Sequence, residues 1–259
     1  MKLNKLSFWP GFLFVILLVC CNHKPEVEIL ISKIYNDNFH EWLMQTGTDL
    51  DLKDMYSVRA DSIEYFLRQA DGIIISGGED VNPALYGKEE EIGKCEEIDY
   101  RRDTLEIRMI KYAMENRIPL LCICRGCHIL NVANGGTLIP DIPSDFDTVI
   151  VHRGGTSKHW INILEGTLLY KICHTKGDTV NSYHHQAIKE VAPSFRAVAY
   201  AQDSLTEAIE LIVTSLHPFI LGVQWHPEGM EFSHSLSGPI AVSFTQEAIK
   251  EATKKARLK

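Results

Sequence analysis

The sequence lacks the features that would place it in several specialised classes of protein. It contains no block of like charge, and its 34 acidic residues outnumber its 26 basic ones, so a nucleic-acid backbone would meet an unfavourable field. It also contains no low-complexity tract and no repeat of roughly 20 to 50 residues, which argues against a repeat architecture. At 259 residues, with 45% hydrophobic and 23% charged residues, the chain has the size and composition of one α/β domain.

An apolar run long enough to cross a bilayer is missing as well. The N-terminal apolar stretch, residues 6–19, contains Pro10 and Gly11 and is shorter than the about 20 residues that a membrane helix needs. It follows the basic segment "MKLNK". The two segments together predict an export signal.

The signal ends in "LVCC" at residues 18–21, which resembles a bacterial lipoprotein signal. The resemblance implies that Cys21 is lipidated and becomes the mature N-terminus. Cys20 stands where such signals usually have a small residue, so a plain signal peptide and an uncleaved anchor stay open. We expect a signal segment at residues 1–21 and a single domain at residues 22–259, exported and lipid-anchored at a bacterial membrane, facing the periplasm or the exterior.

A spaced disulfide framework is absent too. Two of the seven cysteines belong to the signal, and three of the other five are crowded into "CICRGC" at residues 122–127. An odd number of cysteines in an exported domain predicts at least one free thiol. The five are Cys95, Cys122, Cys124, Cys127 and Cys173.

Short apolar runs predict buried parallel strands, because strands covered on both faces lose the alternation of polar and apolar residues. The clearest are "GIIIS" and "IPLLCI", separated by a helix with Asp103 as a plausible N-cap. A short helix follows Cys124, and a last helix begins near Ile240. Further strands are predicted at residues 148–152, 159–164, 197–201, 207–213 and 219–225, the last two as a hairpin. These elements predict an α/β fold with a mixed sheet and with ligands beyond the carboxyl ends of its strands.

The segment "CRGCH" permits four interpretations. Its Cys-x-x-Cys-His spacing fits covalent haem attachment, but that leaves "SGGED" and "WHPE" unexplained. A thioredoxin-like redox pair has the right local position, but that domain would have only about 100 residues. A zinc site from Cys122, Cys124, Cys127 and His128 needs ligands that are too closely spaced across a strand end to converge. In the fourth interpretation Cys124 alone is a nucleophile.

Position along the chain favours the fourth interpretation. The N-terminus of the helix after Cys124 offers positive potential and free backbone N–H groups, which favour a thiolate and a developing oxyanion. Gly126 lets the turn be tight. Downstream, "GVQWHPE" supplies His226 as a base and Glu228 as a carboxylate to orient it. The glycines of "SGGED" bring further bare backbone N–H groups to another strand end.

Four motifs occur in the order seen in class I glutamine amidotransferase-like hydrolases: "SGGEDVNPALYG", "ICRGCHILNVANGGTL", "VNSYHHQAI" and "GVQWHPE". The chain most resembles their γ-glutamyl hydrolase and γ-glutamyl-GABA hydrolase branch. The resemblance implies a flavodoxin-like, three-layer α/β sandwich with a central, mostly parallel, mixed sheet. It further implies Cys124 as nucleophile, His226 as base and Glu228 as its orienter, with an oxyanion hole from the backbone N–H groups of Gly78 and Arg125.

Two residues depart from the pattern of this family. Cys122 replaces a usual glycine next to the turn, and His128 replaces a glutamine that touches the γ-glutamyl group. By the same resemblance His184, His185 and Gln186 line the substrate pocket, with a plain polar loop as the alternative.

Two further interpretations come from the residues themselves. Arg102, Asp103 and Glu106 are interpreted as the capped, charged start of a helix rather than as site residues. Strand alternation places Cys122 and Cys124 on the same side, with Cys127 one turn along, so either neighbour could form a disulfide with Cys124.

We expect a cysteine-dependent hydrolase that cleaves γ-glutamyl amides through a glutamyl thioester, without a metal ion or a cofactor. Its expected partners are a small γ-glutamyl substrate, the membrane through the lipid, and a second copy of the chain in a homodimer, with no nucleic acid. Two alternatives stay open: a ligand-binding protein that has lost turnover, and a glutaminase-type amidotransferase domain. Export disfavours the latter, because an ATP-using synthetase partner has no ATP outside the cytoplasm.

Overall fold

The computed structural model describes residues 27–154 and 156–258. The expected signal segment, including Cys20 and Cys21, lies outside these residues. Within them, the helices are all too short or too polar to cross a membrane. The strands are β1 (Val27–Ile31), β2 (Leu50–Asp54), β3 (Gly72–Ile75), β4 (Leu120–Ile123), β5 (Thr137–Ile139), β6 (Lys158–Ile163), β7 (Gly177–Asn181), β8 (Ala187–Glu190), β9 (Phe195–Ala201), β10 (Thr206–Leu211) and β11 (Ile220–Val223). The helices are α1 (Asn38–Met44), α2 (Ile63–Gln69), α3 (Tyr100–Asn116), α4 (Arg125–Ala133), α5 (Ile142–Asp145), α6 (Leu168–Cys173) and α7 (Gly238–Leu258).

The strands join in one mixed sheet whose main order is β2-β1-β3-β4-β11-β10-β9-β6-β7. The half from β2 to β11 is parallel. From β11 onwards the neighbours are antiparallel, and β5 and β8 form a branch beside β10. The predicted hairpin is present as β10 and β11. Because β3, β4 and β11 are parallel neighbours, their carboxyl ends lie at one edge of the sheet.

Helices cover both faces of the parallel half. Trp42 of α1 and Phe244 of α7 pack on one face, together with Ile74 of β3. Met109 of α3 packs on the other face, together with Ile75 and side chains of α2 and α4. Successive residues of β3 therefore enter two different cores, which is why this strand has an unbroken apolar sequence. The arrangement is the expected three-layer sandwich.

Two local predictions are wrong. Helix α3 begins at Tyr100 and is capped by Asp99, whose side chain accepts a hydrogen bond from the Arg102 N–H at 3.0 Å, so Asp103 is not the cap. Residues 148–152 form a loop rather than a strand. Their two valines are exposed, at 96% and 61%, because the loop turns its polar groups inward. The elements before residue 72, and β5, β7, β8, α5 and α6, were not predicted.

Candidate active site

Cys124 lies on the sharp turn between β4 and α4. Its backbone has φ of 52° and ψ of −109°, a conformation that residues with a side chain rarely adopt. Gly126 makes the turn possible, because a Cβ there would lie 2.1 Å from the backbone oxygen of Ile75. Arg125 is the first residue of α4, so its N–H lacks an intrahelical partner. The turn therefore places a thiol beside backbone donors.

The other two cysteines of the trio lie on the opposite side of the sheet. Cys122 and Cys127 belong to the apolar cluster of α3 and α4, whereas Cys124 belongs to the cluster on the α7 side. The expectation that Cys122 and Cys124 share a side is therefore wrong, because the positive φ at Cys124 ends the extended alternation. Burial raises the pKa of the Cys122 and Cys127 thiols, and all three cysteines are free. Protonated thiols inside apolar packing suit neither metal ligation nor thiol exchange.

His226 follows β11, the neighbour of β4 in the sheet. Its Nδ1 is 2.7 Å from Oε1 of Glu228, and Cys124 is close enough to the ring to raise the pKa of His226. Burial acts to lower the pKa of His226, but the Cys124 thiolate and the Glu228 carboxylate outweigh it and raise that pKa well above its usual value. The three side chains form a line from sulfur to imidazole to carboxylate, the arrangement that activates a nucleophile.

The backbone of His226 is held from the side by Asn181, the last residue of β7. Oδ1 of Asn181 accepts from the His226 N–H at 2.9 Å, and Nδ2 donates to the His226 carbonyl oxygen at 2.9 Å. The hydroxyl of Ser237 donates to the Pro227 carbonyl oxygen at 2.7 Å, which fixes the turn between base and carboxylate. Neither Asn181 nor Ser237 was predicted, because their partners are backbone groups distant in sequence.

Gly77 and Gly78 follow β3, the other neighbour of β4. Nη2 of Arg102 donates to the carbonyl oxygens of Ser76, at 2.9 Å, and Gly77, at 2.7 Å. The carbonyl and the N–H of a trans peptide point in opposite directions, so the Gly78 N–H points away from Arg102. Gly78 has φ of 144° and lines the same cavity as Cys124. Its backbone donor is thus available beside the nucleophile.

Arg102, Asp103 and Glu106 are not a solvated helix start. All three are buried. Glu106 pairs with two arginines, with Arg102 of its own helix at 2.7 Å and with Arg125 of the turn at Cys124. Arg125 also contacts Asp103 at 2.5 Å. Burial, followed by the Arg102 charge, lowers the pKa of Arg125 to about 10. Their place in the first two turns of α3 agrees with the prediction, and their ion network ties the turn at Cys124 to the loop at Gly77.

A cavity of about 220 Å³ opens beside Cys124. The four residues predicted to contact substrate all line it, namely His128, His184, His185 and Gln186. Their polar atoms also bind other parts of the protein. The two nitrogens of His185 bond Asp80 and Asp141, each at 2.9 Å, and Oε1 of Gln186 accepts from the Val81 N–H at 3.2 Å.

His128 reaches the nucleophile through a residue that was not predicted. Its Nε2–H donates to Oε1 of Gln224 at 2.6 Å, and Nε2 of Gln224 lies 3.7 Å from the Cys124 sulfur. Burial and the nearby His184 lower the pKa of His128 to about 3, so its imidazole is neutral at neutral pH. His128 therefore orients the amide that contacts the thiol.

Charged residues that were not predicted complete the cavity. Asp80, Glu96 and Glu97 supply carboxylates, and Arg153 supplies a guanidinium. Arg153 pairs with Glu96 at 2.5 Å near the surface. All four charged residues lie in loops, where a single charged residue forms no pattern that would mark it in the sequence.

Comparison with known proteins identifies the family. A family model described as peptidase C26 matches residues 52–228. The chain belongs to the peptidase C26 family. It is 38% identical over 189 residues to protein NtpR of Enterococcus hirae, which covers 70% of this chain and 77% of that protein. It is 35% identical over 207 residues to the gamma-glutamyl-gamma-aminobutyrate hydrolase of Escherichia coli, which covers 76% of this chain and 79% of that protein.

Solved structures show that this peptidase C26 member has the class I glutamine amidotransferase fold. The glutaminase domain of Trypanosoma brucei CTPS superposes with a TM-score of 0.64 at 16% identity, covering 86% of this chain and 94% of that one. A glutamine amidotransferase of Thermotoga maritima superposes with a TM-score of 0.54 at 13% identity, covering 92% and 87%. The family and the α/β fold predicted from the motifs are thereby confirmed.

Proposed function

We propose that this peptidase C26 member is a cysteine-dependent hydrolase of γ-glutamyl amides. The observation that carries the proposal is the line from Cys124 through His226 to Glu228, with the thiol on a strained turn beside backbone donors. A relative named for hydrolysis of gamma-glutamyl-gamma-aminobutyrate supports the substrate class. The roles proposed for individual residues follow from their chemistry.

In the first half of the reaction the Cys124 thiolate attacks the γ-carbonyl carbon, and the carbonyl oxygen becomes an oxyanion. The backbone N–H groups of Gly78 and Arg125 bind that oxygen, each worth about 3 kcal/mol of barrier. The C–N bond breaks as protonated His226 gives its proton to the leaving amine. A free amine and a glutamyl thioester on Cys124 result.

In the second half, neutral His226 takes a proton from a water molecule, whose oxygen attacks the thioester. The C–S bond breaks, glutamate leaves, and Cys124 returns to the thiolate while His226 keeps the proton. Glu228 holds the ring and favours its protonated form throughout. The raised pKa of His226 fits an imidazolium that gives its proton to the leaving amine.

Charged side chains around the cavity beside Cys124 fit a γ-glutamyl amide. The carboxylates of Asp80, Glu96 and Glu97 suit the α-ammonium group, and Arg153 suits the α-carboxylate through a charge-assisted pair. A second cavity, of about 640 Å³, is lined by His226 and shares Gly78 and Tyr183 with the cavity beside Cys124. It offers room for the leaving amine where His226 can protonate it.

The test is a panel of γ-glutamyl amides built from L- and D-glutamate, with released glutamate and amine both quantified. Equimolar release of both products is expected. Tight binding without release would instead favour the ligand-binding alternative. Cleavage of glutamine alone would favour a glutaminase-type domain.

Cysteine variants test the single nucleophile. Cys124→Ser should abolish hydrolysis, because a serine hydroxyl is not ionised by the same base, while Cys122→Ala and Cys127→Ala should keep most of it. Initial rates on the best substrate of the panel measure this. Equal loss of activity in the Cys124 and Cys127 variants would contradict the proposal.

A further inference from the structure

Three histidines and one glutamate form a buried cluster at the wall of the active-site cavity. They are His152 before β6, His159 in β6, His184 after β7 and Glu207 in β10, and none is more than 5% exposed. Oε1 of Glu207 lies 3.1 Å from Nε2 of His159, 3.6 Å from Nε2 of His184 and 3.8 Å from Nδ1 of His152. The donor atoms of His152, His159 and Glu207 all lie within 4.8 Å of one another.

The atoms that face the centre of this cluster contact one another but have no partner outside it. Counting partners within residues 27–154 and 156–258, no hydrogen bond reaches Nδ1 of His152, Nε2 of His159, Nε2 of His184 or either carboxylate oxygen of Glu207. Buried polar atoms in proteins are nearly always paired. Lone pairs of His152, His159 and Glu207 that all lie within 4.8 Å of one another are an arrangement that binds a cation.

The outer nitrogens of two of the histidines are already engaged. Nε2–H of His152 donates to Asp203 at 2.8 Å, and Nδ1–H of His184 donates to the carbonyl oxygen of Gln186 at 2.9 Å. Each bond places the proton on the outer nitrogen and leaves the lone pair of the inner nitrogen directed towards Glu207. Histidines that ligate metals almost always have such an outer partner, often a carboxylate.

We propose that His152, His159 and Glu207 bind one zinc ion, with His184 beside it. Imidazole and carboxylate ligands suit Zn²⁺, and ligand bonds of about 2.0–2.1 Å in a tetrahedron put neighbouring donor atoms about 3.4 Å apart. The distances of 3.1 to 3.8 Å around Glu207 match this spacing. Three protein ligands leave a fourth tetrahedral position, which a water molecule can fill. The proposal departs from the sequence-based expectation that no residue ligates a metal.

The ion would tie together segments that are far apart in the chain. It joins β6 and β10 to the segment that carries His152, next to His184 in the wall of the cavity beside Cys124. The carbonyl oxygen of Glu207 also accepts from the N–H of Gln224, whose side chain contacts the Cys124 sulfur. Zinc here positions the cavity wall, and its binding does not depend on which reaction the cavity performs.

Metal content and affinity of the purified chain test the proposal. Elemental analysis should find about one zinc per chain in the wild type, and X-ray absorption should show nitrogen and oxygen neighbours without sulfur. His159→Ala and Glu207→Gln should lose the ion. His217→Gln, a control at a buried histidine that bonds the Ala113 carbonyl oxygen, should retain it.

A graded variant keeps the test decisive if the ligand variants do not fold. Asp203→Asn keeps an oxygen that can accept from His152 but removes the charge of this outer partner, so it should lower zinc affinity by about 10- to 100-fold, measured by competition with a chromogenic chelator. Chelation of zinc from the wild type should also lower its Tm, and added zinc should restore it. A wild type that binds no zinc even when zinc is added would overturn the proposal, as would sulfur ligation or unchanged affinity in Asp203→Asn.

Discussion

Gly77 is the residue whose change tests the geometry of the base most directly. A Cβ at this position would lie 2.5 Å from Cε1 of the His226 ring. Gly77 is not among the residues with positive φ, so its backbone accepts alanine without strain. Ordinary van der Waals contact begins at 3.4 Å, so in Gly77→Ala the imidazole must retreat by about 1 Å.

The expected cost falls on catalysis rather than on folding. A misplacement of about 1 Å in a catalytic group costs about 100-fold in rate, which is about 2.7 kcal/mol. The ring of His226 borders an open cavity and can move into it, so the overpacking penalty should lie near the low end of about 1–3 kcal/mol. We therefore expect kcat to fall about 100-fold while KM and the fold change little.

The matched control is Gly93→Ala, because a Cβ at Gly93 meets nothing within 4 Å. Steady-state kinetics on the best γ-glutamyl amide give kcat and KM for both variants, and the rate of Cys124 alkylation by iodoacetamide reports on the thiolate that His226 stabilises. Alkylation should slow in Gly77→Ala only. If kcat of Gly77→Ala stays within about twofold of the control, the contact with His226 does not position the base and the reasoning fails.

Three further predictions concern the pH dependence, the substrate range and the N-terminus. Glu228→Gln removes a charge that raises the pKa of His226, so the alkaline limb of kcat/KM should move to lower pH; an unmoved limb would contradict the orienting role of Glu228. By linkage, the stability from this raised pKa is complete below about pH 6.5 and is lost as pH rises through the higher folded value, so the Tm advantage of the wild type should shrink there. His128→Gln changes the group that orients Gln224 and should broaden activity across the panel of amides; identical kcat/KM ratios would exclude this role. For the N-terminus, we propose lipidation at Cys21, and intact mass should show diacylglycerol on that residue; a mature chain without lipid would contradict it.

The proposed catalytic residues were accessible from the sequence because they lie at strand ends. Apolar runs covered on both faces are visible without any structure, and the ends of adjacent parallel strands meet at one edge of the sheet. Cys124 and His226 each follow such a run. Two motifs about 100 residues apart in the sequence could therefore be assigned to one site without a structure.

The supporting residues were hidden for the opposite reason. Arg102 and Glu106 look like a solvated helix face, because charged residues four apart are typical of exposed helices. They are buried here because α3 packs against the loop at Gly77 and the turn at Cys124. Arg102 donates to the Gly77 carbonyl oxygen, and Glu106 pairs with the Arg125 guanidinium. The cluster of His152, His159 and Glu207 is equally invisible, since its members lie in separate segments and converge only through the antiparallel half of the sheet.

The direction of the Cys124 side chain could not be derived from the strand pattern. Alternation places residues two apart on one side only while the backbone stays extended. At Cys124 the φ of 52° ends that extension, so its side chain leaves the face on which Cys122 is buried. The same rotation takes the thiol out of the apolar cluster that holds Cys122 and brings it to His226, where its charge raises the pKa of the imidazole. One dihedral angle therefore decides whether this cysteine is another buried, protonated thiol or a nucleophile, and that angle is set by the close approach of Gly126 to Ile75 rather than by the cysteine itself.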